Sequence, residues 1–254
     1  MPTLTTTARA AVSALGDLVL PVRCGGCDEP GVPWCRRCAA ALAAAPGPTP
    51  WSPTPAPVGM PPVWTLLAYD GPVRAALVNW KDNGRRDLVR VLAPPLTEAL
   101  LAALLAPAAG DGGAGLVGSH AAAPVVVPAP SGRSNVRRRG DRPLHLLTRR
   151  CLDPLPASER PRVVDALRLR RAVADQAGLD SLGRASNLRG AMALRPAVSS
   201  LVVGARCVVV DDVVTTGATL AEAARVLRSG GAAEVVAVTV AATRRHPAAL
   251  RSSR

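Results

Sequence analysis

Residues 207–220 read CVVVDDVVTTGATL, and this stretch decides the fold. The run from Cys207 to Val210 is apolar and rich in β-branched residues, as suits a strand buried on both faces. Asp211 and Asp212 are then expected where that strand emerges at its carboxyl end, the edge at which open α/β sheets bind ligands. Carboxylates there can accept hydrogen bonds from hydroxyls. Val213, Val214, Thr215, Thr216, Gly217, Ala218 and Thr219 continue as a small, hydroxyl-rich turn. Gly217 can take positive φ and let backbone N–H groups approach an anion closely. Thr219 and Glu222 read as a capping box opening the helix LAEAARVLRS, which Gly230-Gly231 ends, so the turn faces the positive end of a helix dipole. Hydroxyl acceptors on one side and a phosphate cradle on the other describe a site for a sugar phosphate. The competing reading is a plain strand–turn–helix whose polar residues only cap the helix, which accounts for Thr219 but not for two adjacent acids.

The flanking sequence extends this unit into an α/β fold with a mostly parallel sheet flanked by helices. Val125-Val-Val127 reads as a second short buried strand, and residues 234–243 as a third. With the 219–229 helix, the strands at 207–212 and 234–243 form a βαβ unit and are therefore parallel. Residues 72–105 read as mostly helical with a break at Asn83-Gly84; a helix is expected at 143–152, and the Gly/Ala-rich stretch 106–123 as a loop.

Residues 24–38, CGGCDEPGVPWCRRC, place Cys24, Cys27, Cys35 and Cys38 as two CxxC pairs. Each pair can put two thiolates on one tetrahedral metal, and Zn2+ in a structural role is the natural occupant, with a redox dithiol or two disulfides as the competing readings. The seven-residue gap leaves the knuckle little core of its own, so the metal is expected to fold it. Cys151 and Cys207 lie in apolar segments and read as buried bystanders. The Pro-rich stretch 46–62 reads as a semi-rigid linker. The expected organisation is an N-terminal helix and zinc module over 1–45, the linker over 46–62 and the α/β domain over 63–254.

With four Trp, one Tyr and no Phe, the core must be packed by Val, Leu and Ala, and stacking platforms for exposed bases are scarce. The formal charge is +13, and residues 131–195 carry fifteen Arg against six acids, a surplus of nine within that quarter of the chain. Such concentration favours a polyanionic partner, either a pyrophosphate-bearing substrate or nucleic acid. No apolar run is expected to reach the roughly 20 residues of a membrane span. The stretch before Cys24 has no signal-peptide pattern and reads as an amphipathic helix, so the expected location is cytoplasmic, where structural disulfides are disfavoured. The three His residues, His120, His145 and His246, lack triad or metal-ligand spacing.

The 207–220 stretch closely resembles the phosphoribosyl pyrophosphate (PRPP) fingerprint of type I phosphoribosyltransferases. The remaining features are similar to the ComF family of competence-associated, phosphoribosyltransferase-like proteins. These features are the four-cysteine module, Tyr69-Asp-Gly71 leading to Trp80-Lys81, Val127-Pro-Ala-Pro130 followed by Arg139-Gly140, and Gln176, Leu179, Arg184 and Asn187. The chain departs from that family by continuing Arg139-Gly140 with Asp141-Arg142-Pro143, where an aromatic residue and an Asn-Gln pair are usual. The resemblance implies a type I phosphoribosyltransferase fold, PRPP with Mg2+ as ligands, and a link to natural competence, with DNA or competence-machinery proteins as candidate partners. It implies neither an acceptor nor an oligomeric state. In such a fold the loop after the first core strand binds pyrophosphate. Arg137, Arg138 and Arg139 suit that role because a guanidinium offers forked donors to phosphate oxygens and stays charged; a nucleic-acid patch is the alternative. Asp211 and Asp212 are the expected catalytic acids, and residues 213–219 the PRPP turn. Gln176, Arg184 and Asn187 are candidates for a lid over the site. A non-catalytic PRPP-sensing or nucleic-acid-associated accessory protein is the rival to an enzyme.

Overall fold

The computed structural model describes residues 22–107, 123–130, 142–170 and 190–243. By its internal contacts the chain divides into two units, Met1–Ala45 with Asp70–Leu88, and Pro46–Tyr69 with Val89–Arg254.

The larger unit is built on a six-stranded sheet in the order β1-β2-β8-β7-β3-β4. Its strands are β1 (Thr49–Trp51), β2 (Val63–Ala68), β3 (Val125–Pro128), β4 (Arg162–Val163), β7 (Arg206–Val214) and β8 (Glu234–Ala242), while β5 (Leu167–Leu169) and β6 (Met192–Leu194) form a separate antiparallel pair. All neighbours in the large sheet are parallel except β1, which runs antiparallel to β2. The expected strands at 125–127 and 234–243 are both present, and β7 lies beside β8 in the expected parallel sense. Strand β1 falls inside the Pro-rich stretch read as a linker. Pro50 is tolerated there because an edge strand has a side that needs no N–H donor.

Helices α3 (Val89–Leu105) and α4 (Pro143–Cys151) pack on the sheet and on each other, α3 against β2 and β8. In α3, Leu92, Leu96, Leu100 and Ala103 are buried while Arg90, Pro94 and Glu98 are exposed, so one helical face meets the sheet and the opposite face meets solvent. Together with the preceding short 3-10 turn, the helical run Arg86–Leu105 is long and apolar enough to cross a membrane, with mean hydropathy 1.7, and half of it is buried within the fold. This corrects the expectation that no run approaches that length. Packing on β2, β8 and α4 accounts for its apolar face without a bilayer. Helix α5 (Ala218–Ser229) lies against β6, β7 and β8, where Leu220, Ala223, Ala224 and Leu227 join Cys207, Val209, Val235, Ala237, Leu167 and Met192 in one core. Arg206 ties the two ends of the sequence of elements together. Its guanidinium donates to the carbonyls of Ala103, Leu104 and Ala106, satisfying the last turn of α3, and pairs with Glu234 at 2.8 Å in a nearly buried site.

The smaller unit contains the cysteine-bearing turn, α1 (Arg36–Ala43), α2 (Gly71–Lys81) and a 3-10 turn (Arg86–Leu88). Segment 70–88 lies beyond the boundary expected near residue 62, yet its contacts are with the knuckle. The Asn79 amide donates to the Gly25 carbonyl at 3.0 Å, and the Arg85 guanidinium to the Arg23 carbonyl at 2.8 Å. Glycine is required at both inner positions of CGGC. A Cβ on Gly25 would stand 2.6 Å from Leu88, and one on Gly26 would stand 2.8 Å from both the Cys38 sulfur and Trp34.

Candidate functional site

Strand β7 carries both acids, as expected of a strand over 207–212, and runs two residues further to Val214. The reason is its partner. β8 is equally long, and the ladder pairs Asp211 with Thr239, Val213 with Ala241 and Val214 with Ala242. Asp212 is buried and Asp211 half-buried. The Asp211 Oδ1 accepts the Asp212 N–H at 2.9 Å, and the Asp212 Oδ1 accepts the Val213 N–H at 3.0 Å. Both acids sit two to three residues before the end of β7, whose parallel neighbours β8 and β3, and β2 beyond β8, end at the same edge.

Beyond Val214 the turn forms as expected. Thr215 is exposed, Thr216 is half-buried, and Gly217 has φ +76°, a left-handed conformation that side chains resist. Gly217 also meets a packing demand, since a Cβ there would stand 2.6 Å from the Met60 sulfur. Val213, Val214, Ala218 and Thr219 complete the stretch, with the Thr216 hydroxyl 3.5 Å from the Ala218 N–H it accepts. Helix α5 starts at Ala218, immediately after the turn.

The capping box does not form. Gly217 is the N-cap, and Glu222, buried and facing inward, accepts the Met192 N–H at 3.2 Å and a forked pair from Arg225 at 2.7 and 2.9 Å. Three bonds, two of them charge-assisted, outweigh the single backbone donor a box would offer. Burial pushes the Glu222 carboxyl up, but Arg225 and the Met192 amide more than offset that and hold it below the usual carboxylate value.

Arg137, Arg138 and Arg139, and likewise Gln176, Arg184 and Asn187, lie outside the described residues. Two basic residues at the same sheet edge are described and were not singled out from sequence as a pair. Arg142 and Arg195 both reach Asp165, Arg195 at 3.3 Å, so two guanidiniums share one carboxylate. The Val164 N–H donates to the Val126 carbonyl, which sets Asp165 just past β4, two strands from β7 and therefore about 10 Å away. Nothing local in the sequence marks this trio, because its members are brought together from three elements. Lys81 is exposed on α2, and His145 is held below its ordinary pKa by burial and by Arg149.

In the smaller unit the four cysteine sulfurs lie within 4.8 Å of one another, with Cys24 and Cys38 at 3.7 Å and Cys27 and Cys35 at 3.6 Å, and none is in a disulfide. A tetrahedral zinc with Zn–S bonds of about 2.3 Å spaces its sulfurs about 3.8 Å apart, so the donor set fits one such ion. The Gly26 and Cys35 N–H groups both point at the Cys24 sulfur, at 3.4 and 3.3 Å, which favours a thiolate there. Arg37 draws the Cys27 thiol down to about 6. These four residues can hold a structural metal. Cys151 and Cys207 are the bystanders expected: both are fully buried, and burial pushes them up to about 12 and about 11.

Residues 164–252 match the family model of the phosphoribosyl transferase domain. The matched segment takes in β5, β6, β7, α5 and β8, and with them the acid pair, the turn and Glu222. It supports the type I phosphoribosyltransferase family for this part of the chain, and agrees with the mostly parallel sheet flanked by helices. No match was found among curated proteins. The phosphoribosyl transferase segment ends beyond β8, and the cysteine cluster lies wholly outside it.

Proposed function

We propose that this protein is a phosphoribosyltransferase of the ComF type that binds PRPP as its Mg2+ complex. The observation that carries the reading is the β7–turn–α5 unit inside the phosphoribosyl transferase segment: two adjacent acids, then a turn with Gly217 at positive φ, then a helix N-terminus. In this reading the amides and hydroxyls of residues 215–219 hold the 5′-phosphate, and the helix dipole favours its charge. Asp211 and Asp212 accept the ribose 2′- and 3′-hydroxyls and stabilise positive charge that develops on the ring. The bond from the anomeric carbon to the pyrophosphate oxygen breaks as a bond to the acceptor's nucleophile forms. Pyrophosphate leaves with the electron pair, and the acceptor's proton passes to solvent. Arg137, Arg138 and Arg139 are proposed to offset the leaving group's charge. The acids and the Arg loop are roles supported by residue type and position. Zinc is the metal proposed for Cys24, Cys27, Cys35 and Cys38, on the sulfur spacing above.

Calorimetric titration with PRPP and Mg2+, and pyrophosphate release across a panel of bases and amines, test the reading. Asp212→Asn keeps the shape but removes a charge-assisted acceptor, so it should cost about 1.5–3 kcal/mol of PRPP affinity. Equal binding by wild type and variant would move the site elsewhere. Binding without pyrophosphate release in any acceptor's presence would favour the sensing role, and the link to competence and DNA then becomes the partner question.

A further inference from the structure

A row of hydroxyls crosses the middle of the sheet and ends on the site. The register aligns Thr65 of β2 with Thr239 of β8, and Thr239 with Asp211 of β7. Partners in parallel strands point to the same face at a spacing of about 4.8 Å, so these three side chains are successive neighbours. Thr65 is 5% exposed and Thr239 is 0% exposed. Their Oγ1 atoms are nevertheless buried with no hydrogen-bond partner among the described residues.

Buried hydroxyls are almost always bonded, and one left unpaired has lost its water for nothing in return. The strand around Thr239 reads Glu-Val-Val-Ala-Val-Thr-Val-Ala-Ala. Valine has the shape of threonine and fills the neighbouring positions, so packing alone does not call for the hydroxyl. Places where a local rule is broken inside a consistent core are places to look for function. Here the breach leads directly to one of the two acids.

We propose that Thr239 is a positioning residue of the site, with Thr65 behind it. On ribose binding the Thr239 hydroxyl turns to donate to the Asp211 carboxylate, and the Thr65 hydroxyl donates to Thr239 Oγ1. Cross-strand neighbours of this kind are within reach of such bonds. The relay fixes the carboxylate's orientation toward the sugar hydroxyls. The proposal rests on the reading of Asp211 as a ribose acceptor.

The test uses the full-length, metal-loaded protein and four variants: Thr239→Val, Thr239→Ser, Thr65→Val and the double valine variant. Thermal melting without ligand and calorimetric titration with PRPP and with ribose-5-phosphate are the two readouts. Thr239→Val should melt at or above wild type, since it removes an unpaired polar atom and keeps the shape, yet bind both sugar phosphates roughly tenfold more weakly. Thr239→Ser should melt lower, because it leaves a methyl-sized gap, and keep wild-type affinity. Those two readouts order the variants oppositely, which a purely structural role would not do. Thr65→Val should weaken binding less, and add nothing in the Thr239→Val background. Wild-type affinity in Thr239→Val, or loss of affinity in Thr239→Ser equal to that in valine, overturns the positioning role and leaves the ribose reading standing. A wild-type protein that binds neither sugar phosphate overturns the ribose reading itself, and this proposal with it.

Discussion

Cys35→Ser should release the metal and unravel more of the chain than the segment carrying the cysteines. The sulfur of Cys35 stands 3.6 Å from that of Cys27, inside a cluster whose other members are Cys24 and Cys38. Structural zinc sites of this type supply about 10–16 kcal/mol of folding free energy in small peptides. Against that stand the contacts tying residues 70–88 to the knuckle. Burying the Leu88 side chain stabilises by at most about 3 kcal/mol. The Asn79 bond to Gly25 adds at most about 1.5 kcal/mol, and the charged Arg85 bond to Arg23 about 3 kcal/mol. Each of these contacts is well below the lower figure for the metal, so loss of the ion is expected to loosen α2 along with the knuckle. Metal analysis by mass spectrometry should give one zinc per chain in wild type and none in the variant. Hydrogen exchange should show lost protection in residues 22–45 and also in α2, while β7, β8 and α5 stay protected. Full protection of α2 after metal loss would refute the coupling. Wild-type protein prepared without chelator under reducing conditions, carrying no metal and with all four thiols open to alkylation, would refute the site.

The remaining expectations concern the larger unit. Arg206→Met removes the guanidinium partner of the Glu234 carboxylate in a nearly buried site and the donors to the carbonyls of Ala103, Leu104 and Ala106 at the end of α3, so denaturant unfolding should show a loss of about 3–5 kcal/mol, part of it recovered by adding Glu234→Gln. The Glu222 carboxyl is held below its ordinary 4.5 in the folded protein, so its contribution is present above that pH and is lost as pH falls through the depressed folded value. Unfolding measured from pH 3 to 7 should therefore fall more steeply on the acid side in wild type than in Glu222→Gln, and parallel curves would show that Glu222 is not an acid-labile tie.

Two parts of the protein were legible in the chain alone because their determinants are contiguous. The paired CxxC spacing puts four sulfurs within reach of one ion whatever surrounds them, and the sulfur distances agree. The alternation of an apolar run, acids, a glycine turn and a helix likewise carries its own geometry, and Gly217 takes the positive φ its place demanded. Other features belong to long-range pairing, which spacing does not encode. Glu222 looks like a capping partner to its near neighbour Thr219, but it finds Met192, thirty residues away, because α5 packs beside β6. Segment 70–88 follows β2 in sequence and yet packs on a knuckle some fifty residues earlier, through Asn79 and Leu88. Thr65 and Thr239 carry no signal in the sequence, and they join Asp211 in a row only when the register of three parallel strands is fixed. That register is decided by which apolar faces must be buried together, a property of the assembled sheet and of no single stretch.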